Sequence, residues 1–224
     1  MEQTIVISVG GSLLIPKEIS TQFIADVRKF VLSGLTAGTR FVLVCGGGSI
    51  CRTYQQAAKQ LGVKDKESLD WVGIMVTRLN AELLRIAFGS NANDTVLYNP
   101  HKKVKGNLII AAGHLPGCST DYDAVVLAKT YKASLLINLF NQDYVYDKDP
   151  QEHSDATPLP ILKWSDYLAM VGKEWIPGLH IPFDSIAAQE AKKAGLKVIL
   201  ANGQNFVNLR QIVEGKKFIG TVLQ

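Results

Sequence analysis

Apolar residues follow two rhythms along this chain. Short runs rich in β-branched side chains read as buried strands: "TIVISV" (4–9), "RFVLVC" (40–45), "NLIIAAG" (107–113), "SLLINLF" (134–140), "LKVILA" (196–201) and "FIGTVL" (218–223). Between them the apolar positions recur at helical steps. Phe23, Val27, Phe30 and Val31 predict a helix over 20–37, with Ser20 or Thr21 as cap and Gly38 just past its end. Further helices are expected over 49–62, 67–88, 120–132, 184–194 and 205–214. In the longest of these, Leu69, Val72, Val76, Leu79, Leu83 and Ile86 define one apolar face. After Pro150 the texture changes: "QEHSDATPLP" is turn-rich, and "KEWIPGLHIPFD" reads as a loop.

Strands that alternate with helices predict an α/β fold with a mostly parallel sheet covered on both faces. Ligands of such sheets bind beyond the C-terminal strand ends. Glycine-rich segments sit at those ends: Gly10-Gly11-Ser12, Gly46-Gly47-Gly48, and Gly113 with Pro116-Gly117. Bare backbone lets a ligand approach the amide N–H groups, and clustered N–H donors suit phosphate. Each turn taken alone is equally a tight structural turn. A P-loop is excluded, because GxxxxGK[ST] is absent. A dinucleotide fingerprint fits poorly: Cys51 stands where the third glycine belongs, and Asp65 lies in a polar loop.

Composition narrows the partners. The 224 residues carry a net charge of +4, which suits small anionic substrates rather than nucleic acid. The densest basic cluster, "HKKVK" at 101–105, is short. Cys45, Cys51 and Cys118 are odd in number and form no CxxC pair, as expected of reduced packing thiols in a cytosolic protein. His101, His114, His153 and His180 have no metal-ligand spacing. The start "MEQTIVIS" lacks the pattern of a signal peptide, and no apolar run reaches membrane-span length. A cytoplasmic protein with no membrane partner is the expectation.

The segments "VGGSLL", "CGGGSICRTY", "DWVGIMVTRLNAELL", "PGCSTDYDAVVLAK", "NQDYVYDKDP" and "GKKFIGTVL" occur in that order. Together they resemble the amino acid kinase fold family, most closely its archaeal-type uridylate (UMP) kinase branch, from residue 4 to 223. The resemblance implies one domain over 1–224, a three-layer α/β/α sandwich with a mostly parallel central sheet. The acceptor-binding half would span about 1–130 and the ATP-binding half about 131–224. It also implies Mg2+-dependent transfer of the ATP γ-phosphate to UMP, giving UDP for pyrimidine nucleotide biosynthesis, in a homo-oligomer, a hexamer by the same resemblance.

Residue roles follow from the same likeness. Gly10, Gly11 and Ser12 match the first phosphate loop; Gly48 matches an ATP contact and Gly47 a UMP contact. Arg52, one turn into the next helix, has the reach to bind the same phosphates. Asp70 matches the acid that holds the UMP ribose, although an acid early in a helix also serves as a cap. His114, Leu115, Pro116, Gly117, Cys118, Ser119 and Thr120 match the loop that wraps UMP. Asp121 resembles the organising aspartate near the transferred phosphoryl group, with a first-turn capping acid as the plainer alternative. Asp123 points to another face of that helix, so the two need not form a pair. Phe140, Asn141, Tyr146 and Asp149 match the region that holds the ATP base and ribose. Arg78 and Asn80 resemble family positions, with a solvent or interface role at least as apt.

Two positions depart from the pattern. Tyr144 replaces the glycine of "DGVY". Ser8 stands where many kinases of this fold carry a lysine that stabilises charge on the moving phosphoryl group. Arg52, Lys17 and Lys148 are candidate substitutes. Ser8 also leaves room for a non-catalytic nucleotide sensor, and the fold itself admits other acceptors. Isopentenyl phosphate is disfavoured, since Ser49-Ile50-Cys51 supply no histidine after the glycine triplet. The segment 89–105 lies where a lid is expected.

Overall fold

A computed structural model describes residues 3–172 and 182–224. In chain order the elements are β1 (Thr4–Val9), α1 (Gly11–Leu14), α2 (Thr21–Thr36), β2 (Arg40–Cys45), α3 (Gly48–Gln60), α4 (Lys66–Phe88), β3 (Leu108–Ala111), α5 (Thr120–Tyr131), β4 (Leu135–Phe140), β5 (Ile161–Leu162), α6 (Trp164–Val171), α7 (Ser185–Lys193), β6 (Val198–Asn202), α8 (Phe206–Val213) and β7 (Thr221–Leu223). A one-turn 3-10 helix, Gly89–Asn91, follows α4.

The strands form one sheet in the order β3-β2-β1-β4-β6-β7-β5. All neighbours run parallel except β6 and β7. Strand alternation sends Ile5, Ile7, Phe41, Leu43, Leu108, Ile110 and Ile137 into a core shared with α2, α4 and α8. Val6, Val42, Val44, Ile109, Leu136, Val198 and Leu200 point the other way, against α5, α6 and α7. The result is a three-layer α/β/α arrangement, and β1 is buried at all six positions, as a central parallel strand must be.

Three departures from the sequence reading have physical reasons. The Gly10-Gly11-Ser12 corner opens the short helix α1, because Leu13 and Leu14 bury into the core and pull the turn into helical form. Strand β5 and helix α6 lie within the stretch after Pro150: Trp164 and Tyr167 are buried there, although single aromatics in a turn-rich stretch give no periodic signal. Residues 173–181, most of the "KEWIPGLHIPFD" loop and including His180, fall outside the described residues.

The third departure concerns α4. Its inward face is Leu69, Gly73, Ile74, Val76, Thr77, Asn80, Ala81, Leu84 and Phe88. Leu79, Leu83 and Ile86, expected to be buried, are exposed, as are Met75 and Trp71. Among the inner positions, Thr77 and Asn80 are polar and reach the glycine corners. The segment 89–105 is fastened rather than lid-like: Leu97 pairs with Ala111 beside β3, and the Asn93 side chain bonds the Ile110 N–H at 2.8 Å.

Candidate active site

The glycines at the strand ends are bare first of all because two corners touch. A Cβ on Gly11 would lie 2.1 Å from the Gly48 nitrogen, and one on Gly46 would lie 2.6 Å from the Gly11 nitrogen. Gly48 has φ +71°, and a Cβ there would meet the Gly11 carbonyl oxygen at 2.5 Å. A Cβ on Gly10 would meet the Leu139 oxygen at 2.5 Å. The ends of β1, β2 and β4 therefore converge backbone to backbone.

A cavity opens on each side of this contact. One is lined by Gly47, Gly48, Cys51, Arg52, Gln55, Asp70, Gly73, Ile74, Thr77, Gly113, Cys118, Ser119 and Thr120. The other is lined by Ser12, Phe140, Asn141, Gln142, Asp149, Gln151 and Pro182. The first thus joins the glycine triplet, Arg52, Asp70 and the end of the 114–120 loop. His114, Leu115, Pro116 and Gly117 lie outside its lining. The second collects Ser12, Phe140, Asn141 and Asp149. Tyr146 is not in its lining: it stacks edge-on against Tyr144 and bridges to Pro158. Asp149 also closes its own turn, accepting from the Gln151 N–H at 2.8 Å.

Side chains of α4 brace the first cavity. Asn80, buried, donates to the carbonyls of Gly46 (2.8 Å) and Gly47 (3.1 Å). Thr77 Oγ1 accepts from the Gly113 N–H at 3.0 Å. Arg78 donates to the carbonyls of Gly113 (3.3 Å) and His114 (3.1 Å) and lies over the Tyr98 ring. Asn80, buried, and Arg78, half-buried, therefore brace the loops. Asp65 caps α4, accepting from Ser68 N–H at 2.7 Å. Asp70 is freed from capping and accepts from the Gly117 N–H at 2.8 Å.

Three aspartates, Asp121, Asp123 and Asp184, lie at the starts of α5 and α7. Ser119 caps α5, which leaves the first-turn carboxylate of Asp121 to face the sheet. It accepts from Ser8 Oγ (2.8 Å), Asn138 Nδ2 (2.7 Å) and the Asp184 N–H (3.1 Å). Burial pushes its pKa up to about 6, opposed by those hydrogen bonds. Asp123 turns elsewhere and accepts from the His114 N–H at 3.1 Å; burial raises it to about 7. Asp184 accepts from Ser119 Oγ at 3.0 Å and from the Ala187 N–H at 2.8 Å, and burial raises its pKa too. Among the described residues, one oxygen each of Asp123 and Asp184 is buried with no hydrogen-bond partner. Burial also raises the Cys51 and Cys118 thiols and lowers His114. Cys45 is a core thiol, pushed up to about 12, whereas Cys51 and Cys118 line the first cavity instead of filling the core.

A known family model matches most of the chain. The model for the amino acid kinase family fits residues 3–202. The chain belongs to the amino acid kinase family. Among curated family relatives, it is 34% identical to a uridylate kinase of Methanobrevibacter smithii over 97% of both chains. It is 33% identical to a uridylate kinase of Methanothermobacter thermautotrophicus over 98% of both. The solved structure of uridylate kinase from Archaeoglobus fulgidus superposes with a TM-score of 0.84 at 28% identity, covering 98% of this chain and 99% of that one.

Sequence reasoning missed Asn138 and Asp184, and it gave Ser8 no partner. A signal for two of them is present: Ser8 and Asn138 are polar interruptions in otherwise apolar strand runs. Asp184 carries no such signal, being an ordinary helix cap by pattern.

Proposed function

We propose that this chain is a UMP kinase that transfers the γ-phosphoryl group of ATP to UMP, giving UDP and ADP for pyrimidine nucleotide synthesis. The observation that carries the reading is the contact of Gly11 with Gly47 and Gly48, with one cavity on either side. UMP occupies the cavity of Gly47, Arg52, Asp70 and Thr120, with the 114–120 loop around it. ATP lies against Ser12, Phe140, Asn141 and Asp149. The two phosphate chains then meet over the glycine corner.

An oxygen of the UMP phosphate attacks the γ-phosphorus in line. The new O–P bond forms as the bond to the β-phosphate oxygen breaks, and ADP leaves with that electron pair. Such a transfer needs placement and donors around the developing charge more than covalent help. The amides of Gly11 and Ser12 and the Arg52 guanidinium supply donors. Mg2+ enters with ATP as part of the substrate and neutralises phosphate charge. Asp121, under the corner, organises the site.

The chain acts as one domain, with UMP bound mostly by residues before about 130 and ATP mostly by those after. Ser12 crosses that division. No helix among the described residues is long and apolar enough to cross a membrane, and we place the protein in the cytoplasm. The exposed row Met75, Leu79, Leu83 and Ile86 on α4 supports self-association into a homo-oligomer, a hexamer in this reading. The test is an acceptor panel with purified protein, ATP and Mg2+. UMP yields UDP, with CMP and AMP much poorer. An equal or better rate with another acceptor rejects the substrate, and tight nucleotide binding without turnover rejects catalysis.

A further inference from the structure

Two polar side chains interrupt the buried face of the central strands, and they lie side by side. Ser8 on β1 is in register with Asn138 on β4. Their face otherwise carries Val6, Leu136, Val198 and Leu200. Ser8 is 2% exposed and Asn138 4% exposed. A buried amide and hydroxyl between aliphatic neighbours cost stability unless they are hydrogen-bonded. Both donate to the same atom, Asp121 Oδ1, at 2.8 and 2.7 Å.

We propose that Asn138, with Ser8, is a positioning residue for phosphoryl transfer: the two neutral donors hold the Asp121 carboxylate ionised and fixed, with no cationic partner among the described residues. The proposal rests on the kinase reading only in naming the reaction; the hold on Asp121 stands apart from it. Among the described residues, the titratable groups facing Asp121 are Asp184 at the start of α7, Asp123 on its own helix and Tyr167 on α6. None of these brings positive charge, so the two side-chain donors, together with the Asp184 N–H, oppose the burial that drives this acid toward its neutral form. The fixed carboxylate has a consequence across the site. Its second oxygen accepts from the Asp184 N–H, and the Asp184 side chain accepts from Ser119, which lines the acceptor cavity. Asn138 thereby sets the acceptor loop through Asp121 and Asp184.

The experiment compares Asn138→Leu, Ser8→Ala and Ser8→Thr with the full wild-type chain. Two readouts are taken: kcat and KM for ATP and UMP against pH, and the Asp121 carboxyl titration by 13C NMR without nucleotide, assigned with Asp121→Asn. Loss of one donor to a charged group raises the Asp121 titration by about one pH unit. The acidic limb of kcat moves up with it. On the acidic limb, near pH 5, kcat falls about tenfold, and at pH 7 about twofold, while both KM values stay within about threefold. Ser8→Thr keeps the hydroxyl and stays near wild type. An unmoved Asp121 titration overturns the proposal, as does an effect confined to KM. Should Asn138→Leu fail to fold, Ser8→Ala removes the other donor and decides the matter alone. If wild type makes no UDP, the kinase reading fails, and the NMR titration still settles whether Asn138 and Ser8 hold Asp121.

Discussion

The two cavities are built differently. The acceptor-side cavity is held from outside: Asn80, Thr77 and Arg78 reach from α4 to backbone groups of two loops, and Asp70 ties down Gly117. The donor-side cavity is held differently: Asp149 accepts from the Gln151 N–H within its own turn, and the Phe140 carbonyl accepts from the Gly203 N–H, backbone to backbone, at 2.9 Å. Long-range braces fix loop geometry against a rigid helix, whereas local turns fix only themselves. Acceptor selectivity is therefore expected to depend on residues far along the chain, and donor affinity on the residues in direct contact.

The largest break comes where both cavities share one element. Gly11→Ala drives a methyl into the Gly48 nitrogen at 2.1 Å, backbone against backbone, with no side chain free to yield. Overpacking of this kind costs about 3 kcal/mol, and a melting scan is expected to show a fall of about 10 °C, with binding lost on both sides. A Tm within a few degrees of wild type would mean that the corners do not touch.

Next in size, Asp70→Ala separates the two sides. It removes a charge-assisted bond to the Gly117 N–H and a wall of the acceptor cavity. Steady-state kinetics should show KM for UMP up about tenfold or more, with KM for ATP unchanged. Equal effects on both substrates would erase the distinction between the cavities. Phe140→Ala is the mirror experiment. It strips apolar surface from the donor side and raises KM for ATP about fivefold, leaving KM for UMP alone.

The smallest effect concerns pH. Asp123 has an ordinary pKa of 3.8 and is raised to about 7 by burial, so between those values the folded state binds a proton that the unfolded state has released. This contribution to stability is complete below pH 4 and is lost as pH rises through 7. Asp121, raised to about 6, adds in the same direction. Asp123→Asn is expected to flatten the decline in Tm from pH 5 to 7.5. It should change acceptor binding only slightly, because the asparagine carbonyl still accepts from His114 N–H.

How much of this was legible follows from what each feature needs. Strand and helix positions were clear wherever the core demanded periodicity, as in β1, β2 and α2. Helix α4 misled, because its buried side mixes Leu69, Ile74, Val76, Leu84 and Phe88 with the polar Thr77 and Asn80 that reach the glycine corners, so the apolar stripe read alone picks the wrong face. Residues around α6 were missed because Trp164 and Tyr167 anchor it without a repeat. At the site, contiguous patterns placed Gly47, Arg52, Asp70 and Ser119, while Asp184 and Asn138 join Asp121 from elements far apart in sequence. Such convergence is a property of the sheet order, which brings β4 beside β1, and no local window contains it.

The most direct measurement is a crystal structure with UMP and a non-hydrolysable ATP analogue bound together with Mg2+. The account predicts UMP beside Arg52 and Asp70, the analogue beside Ser12 and Phe140, and their nearest phosphates facing across the Gly11–Gly48 contact. Both nucleotides on one side of that contact, or phosphates directed away from it, would contradict the account.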